Sequence, residues 1–177
     1  MNKFKNLIVL GPLIYAIHHF EEHTIFNFIE WKLQYFQHSA AALSTEAILA
    51  ILTCILVTFA LLHLVKNNRA SAHVILFMLF AIQVINAFYH IFFSFYFSDF
   101  SPGAITAAIL YLPVNFLIAQ AAFREGYLKS YFEYGCIAFL GTTTFVLFEI
   151  IGPLIIGLAI IFSLMYYFYF NKRLSNN

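Results

Sequence analysis

Apolar residues dominate the chain in runs of helical length separated by short polar stretches, and each run approaches the ~20 residues that a helix needs to cross a hydrocarbon core of ~30 Å. The runs predict spans from about Asn6 to Thr24, Ala41 to Val65, Ala72 to Phe97 and Pro102 to Phe123. From Tyr131 to Phe170 the apolar stretch is too long for one crossing, and Glu149, Gly152 and Pro153 divide it into helices over about 131–149 and 153–170. The pattern therefore predicts an all-α, polytopic transmembrane bundle of six spans, folded as a single domain over 1–177. Ile25 to Ser39 is too polar to cross, but its Phe26, Phe28, Trp31, Tyr35 and Phe36 suit an interfacial segment at the outer surface. Pro102 fits the first turn of the fourth span, and Pro113 is placed to kink it.

Composition excludes a soluble fold: 63% of the residues are hydrophobic and 10% charged, against roughly 45 to 50% and 25% in soluble domains. A net charge of +1 without a basic cluster leaves no surface for nucleic acid, so membrane lipid is the expected partner. Cys54 and Cys136 stand singly in apolar segments and read as small buried hydrophobes. The lysine-bearing N-terminus before Leu7 to Ile17 resembles a signal peptide. The charged cluster beyond it continues the helical pattern, which favours a first span. With the N-terminus inside, Lys3, Lys5, Lys66, Arg69, Arg124, Lys129, Lys172 and Arg173 all fall on the inner side and only Lys32 outside, so both termini are expected inside.

Candidate chemistry comes from polar residues at membrane depth. Counting ~1.5 Å per residue from the inner face, His18 and Glu22 lie at roughly 16 and 22 Å, and Asn86 and His90 at roughly 20 and 25 Å. Glu46 and Thr106 fall about 6 Å below the outer surface, and Glu149 comes to roughly 22 Å from the inner face. These groups share the outer leaflet. A carboxylate there costs about 2.5 to 3.5 kcal/mol unless paired, metal-bound or neutral. His18, Glu21 and Glu22 occupy a helical arc of about 100°, and Gln83, Asn86 and His90 form a second stripe.

Imidazole and carboxylate ligands one helical turn apart suit a divalent metal such as zinc. The expected ligands are His18, Glu22 and His90, with Glu21 or Asn86 as a fourth ligand, a neighbouring partner or a base; in a hydrolase Glu21 is the candidate base and Asn86 the candidate oxyanion donor, with Gln83, Thr106, Glu46 and Glu149 as surrounding partners. A hydrogen-bonded network tying two helices together, or a proton or organic-ligand site, would also account for the cluster. An overlapping pattern, His19, Glu22 and His23, reads as H-x-x-E-H, the signature of inverted zinc peptidases. His38, His63 and His73 lie near membrane boundaries and read as water-reaching interfacial groups.

His18-His19-Phe20-Glu21-Glu22 resembles the H-x-x-E-E signature of the HXXEE-domain family of small bacterial membrane proteins. Asn86-Ala87-Phe88-Tyr89-His90 resembles that family's N-x-x-x-H element, and Ser101-Pro102-Gly103-Ala104-Ile105-Thr106-Ala107 its P-G-x-x-T-A element. The resemblance implies a multi-pass protein of the bacterial cytoplasmic membrane. It marks His18, Glu21, Glu22, Asn86, His90, Pro102, Gly103 and Thr106, and leaves His19 and His23 outside. The site chemistry is also similar to that of intramembrane CAAX-type proteases, although the Arg expected downstream of their paired Glu is absent here.

Three functions are compatible with this pattern. A metal-dependent intramembrane hydrolase would act on a lipid, a lipid-linked substrate or a peptide bond near the surface. A cation or proton carrier would need a polar path inward, where only Thr53, Thr58, Asn115 and Gln120 are available. A non-enzymatic lipid-, haem- or partner-binding protein would use the cluster structurally.

Overall fold

The computed structural model describes residues 3–36 and 43–174. Residues 37–42, which include His38 and the start of the expected second span, lie outside them. The described residues form helices α1 (Phe4–Leu7), α2 (Leu10–Phe20), α3 (Phe28–Tyr35), α4 (Thr45–Lys66), α5 (Arg69–Leu79), α6 (Ile85–Tyr96), α7 (Ala104–Thr106), α8 (Leu112–Arg124), α9 (Tyr131–Ile151) and α10 (Leu154–Leu174). Three π-helical turns, Glu21–Ile25, Phe80–Val84 and Ala107–Tyr111, interrupt or extend them.

Among the described residues, five helices are long and apolar enough to cross a membrane: Thr45–Lys66, Arg69–Tyr96, Ala104–Arg124, Tyr131–Ile151 and Leu154–Arg173. The expected first span is helical in pieces. Its α1 ends at Leu7 and α2 begins at Leu10; Pro12 has no N–H and its ring crowds the carbonyl four residues back, at Ile8, where the helix breaks.

Polar caps set the other boundaries. Ser44 accepts from Ala47 N, Ser130 from Glu133 N and Asn27 from Glu30 N. Between α4 and α5 the chain turns on Asn67 in the left-handed region, and Asn68 opens α5 with a reciprocal capping box to Ser71. Gly152, at φ 89°, and Pro153 separate α9 from α10 where the sequence predicts the break.

The helix Arg69–Tyr96 is the centre of the bundle, 61% buried over its most apolar window, whereas Tyr131–Ile151 is 11% buried. The peripheral helices therefore turn most side chains outward, Phe132 and Phe139 among them. For the same reason Cys54 and Cys136, expected to be buried, are instead exposed on the outer surfaces of α4 and α9. The expectation for His63 and His73 is also overturned, because both are buried and hydrogen-bonded. His63 Nδ1 lies 3.0 Å from Ser71 Oγ; His73 lies 2.6 Å from Tyr166 Oη and 2.8 Å from the Tyr127 carbonyl. Packing of the turns at this end takes both rings out of reach of solvent.

The expected interfacial segment contains α3, which Trp31, Tyr35 and Phe36 fasten to Phe97 and Phe93 at the end of α6. The Tyr35 hydroxyl donates to Asp99 at 2.8 Å, and that carboxylate raises the hydroxyl's pKa. Lys32 pairs with Glu149 at 2.7 Å, joining α3 to α9.

Candidate metal centre and cavity

His18 projects from the last turn of α2 and Glu22 from the π turn immediately after it, while His90 comes from α6. All three side chains are buried. Glu22 Oε1 lies 3.4 Å from His18 Nε2 and 3.0 Å from His90 Nε2. These spacings are close to the ~3.3 Å expected between ligand atoms of a tetrahedral ion with bonds of ~2.0 to 2.1 Å.

Hydroxyl groups orient both imidazoles from behind. Thr106 Oγ1 donates to the Gly103 carbonyl and accepts from His18 Nδ1 at 2.8 Å, which leaves His18 Nε2 as the lone-pair nitrogen. Ser101 Oγ lies 3.0 Å from His90 Nδ1. Ser101 is itself held through its backbone N–H, which donates to Ser94 Oγ, while Ser94 donates to the His90 carbonyl. His90 Nε2 stands within hydrogen-bond distance of Glu22 Oε1, at 3.0 Å, but is not aligned for a regular hydrogen bond with it. Buried nitrogens facing a carboxylate oxygen need a proton or a cation between them.

Both oxygens of Glu21, the expected base, are engaged by backbone N–H groups. Its Oε1 accepts from Gly103 N and Ile105 N, each at 3.2 Å, and its Oε2 from Thr106 N at 2.7 Å. The carboxylate thus caps the start of Ala104–Arg124, where free N–H groups and the helix dipole favour an anion. A helical arc drawn on the first helix does not reveal that another helix begins opposite Glu21.

Gly103 forms the back wall. Its φ is 96°, and a Cβ there would stand 2.8 Å from His18 Cε1, 3.0 Å from Glu22 Cγ and 3.1 Å from His90 Cε1. The Pro-Gly element brings backbone directly against all three candidate ligands.

Asn86 joins the site: its Nδ2 lies 3.0 Å from His18 Nε2. Gln83 does not. It donates to the Gly11 carbonyl at 2.7 Å and accepts from Asn115 Nδ2 at 2.9 Å, bracing three helices away from the ligands. Glu46 and Glu149 line the adjoining cavity without joining the His18–Glu22–His90 set, Glu46 being exposed and Glu149 paired with Lys32.

The cavity has a volume of about 510 Å³ and exposes Glu22, Asn86, His19 and His23 among apolar residues such as Leu52, Met78 and Ile82. His18 and His90 stand behind that wall. Phe28 of α3 covers His90, with ring centroids 5.2 Å apart, and Tyr111 packs against His18 in a tilted arrangement at 4.3 Å. Ser101, Tyr111 and Phe28 were not expected as site residues; of these only Ser101 has a sequence signal, its place beside the Pro-Gly pair.

The π turns adjoin the same region. One carries Glu21, Glu22 and His23, one Gln83 and one Tyr111. Each extra residue rotates the downstream helix and lets side chains face inward that an unbroken α-helix would turn away.

A bundle whose long apolar helices are compatible with a membrane protein, carrying a buried His/Glu cluster beside a cavity, is the class that fold and site define. The chain matches the family described as proteins of unknown function with HXXEE motif over residues 9–118, and it belongs to that family. No curated protein and no solved structure matches the chain.

Proposed function

We propose that this protein is a membrane-embedded hydrolase that holds a divalent ion, zinc by the chemistry of the donors, on His18, Glu22 and His90. Its substrate would be an ester or amide bond of a lipid or of a peptide segment entering from the outer leaflet of a bacterial cytoplasmic membrane. One observation carries the reading: His18 and His90, each oriented through Nδ1 by a hydroxyl, turn Nε2 toward a single oxygen of Glu22 beside an apolar cavity.

An ion there would supply water activation and carbonyl polarisation. The chain's own residues provide the setting. Thr106, Ser101 and Gly103 hold the ligands in place. Leu52, Met78 and Ile82 offer an apolar wall for an acyl chain and exclude water. Asn86 lines the cavity beside His18, and there its amide could donate to the oxygen of a reacting carbonyl if an ion took the His18 Nε2 lone pair. The distribution of Lys and Arg supports an orientation with both termini inside and the cavity in the outer leaflet.

The carrier alternative finds less support, because Asn115, one of the few polar residues on the inward path, is engaged by Gln83 and by the Tyr111 carbonyl.

The test is hydrolysis of a long-chain p-nitrophenyl ester and of an apolar peptide in detergent micelles. Cleavage should require zinc, stop with a chelator, vanish in His90→Ala and show a lowered kcat in Asn86→Leu. Zinc-loaded protein that cleaves neither substrate class would contradict the hydrolase reading.

A further inference from the structure

His19 and His23 lie outside the His18–Glu22–His90 set, yet the structure gathers them around the same carboxylate. Their ring centroids are 4.3 Å apart. Candidate ligand atoms from His19, Glu22 and His23 all lie within 4.8 Å of one another, as do those from His18, Glu22 and His90. The H-x-x-E-E and H-x-x-E-H patterns therefore need not compete, because Glu22 offers a different oxygen to each. Oε1 faces His18 and His90, while Oε2 lies 3.8 Å from His23 Nε2.

The second set differs from the first in access. His19, Glu22 and His23 all line the cavity, and the His23 side chain is 18% exposed, which leaves it room to close on an ion. The charge of Glu46, on the same cavity, acts on both His19 and His23. It offsets cationic charge that a single carboxylate would leave uncompensated.

We infer that the centre takes two divalent cations bridged by Glu22, one on His18 and His90 and a second, cavity-facing one on His19 and His23. The inference rests on the metal reading of the first set and adds to it. Ions bridged in this way stand about 3.5 to 4 Å apart and together bind an oxygen ligand placed between them. The second ion would extend the centre to the cavity wall, which His19, Glu22 and His23 line, while the His18 and His90 rings lie behind it against Tyr111 and Phe28.

The experiment uses the full chain in detergent, stripped with a chelator and titrated with Mn(II), read by equilibrium dialysis and by electron paramagnetic resonance. Wild-type protein should bind two equivalents and develop the spectrum of an exchange-coupled pair. The His19→Gln/His23→Gln double variant should bind one equivalent with an uncoupled spectrum and keep its helical circular dichroism. Saturation of the wild type at one equivalent, with the double variant indistinguishable from it, would overturn the second ion and leave the first. Binding of neither Mn(II) nor, in a parallel dialysis, Zn(II) by the wild type would overturn both. The wild-type stoichiometry decides between these even if the double variant does not fold.

Discussion

The Thr106 hydroxyl lies 2.8 Å from His18 Nδ1 and determines which nitrogen of that ring is left to face Glu22. Such partners usually govern affinity at metal sites, since they set tautomer and ring direction. Thr106→Val should weaken metal binding by roughly 10- to 100-fold, and Thr106→Ser should restore it. Competition against a chromophoric chelator measures both.

Glu21 is buried with both oxygens engaged by backbone N–H groups. Glu21→Gln keeps the shape but loses the charge and one acceptor. It should lower stability by about 2 to 4 kcal/mol, because hydrogen bonds to a buried charged group are among the stronger ones. Thermal unfolding in detergent checks this. A catalytic base would show the reverse: unchanged Tm with lost activity.

Gly103→Ala introduces a Cβ against His18, Glu22 and His90 at a φ that L-residues avoid. The expected result is lost metal binding together with destabilisation of about 2 kcal/mol or more. Metal content and Tm should fall together. Retained metal at wild-type affinity would show that Gly103 does not wall the site.

Gln83→Leu separates bracing from site chemistry. It removes the hydrogen bond to the Gly11 carbonyl and leaves an Asn115 N–H without its Gln83 acceptor, so a loss of about 1 to 3 kcal/mol is expected. Metal stoichiometry should not change. A specific loss of metal in folded Gln83→Leu protein, measured by elemental analysis, would return Gln83 to the ligand environment.

Much of this arrangement is legible in the sequence. Apolar run length locates α4, α9 and α10 to within a few residues, because span length is set by a fixed thickness and caps such as Ser130 and Gly152 are local. Depth counting brings His18, Glu22, Asn86, His90 and Thr106 to one layer, where the structure assembles them. The illegible part depends on contacts between distant segments. The anchoring of Glu21 requires knowing that Gly103 to Thr106 arrives opposite it. The π turns arise from packing and leave no periodic signature, so the sequence assigns Gln83 to the site although it braces Gly11. The first helix is segmented by Pro12, a local cause that run length overlooks. His63 and His73 sit at helix ends, but turns fold over them.

Whether His18, Glu22 and His90 hold a metal ion is read by elemental analysis of protein purified without chelators. Zinc or another divalent metal is expected in at least stoichiometric amount, lost from that site in both His18→Ala and His90→Ala with helical content retained. Wild-type protein that is folded yet free of metal, and stays so after incubation with zinc, would contradict the metal site.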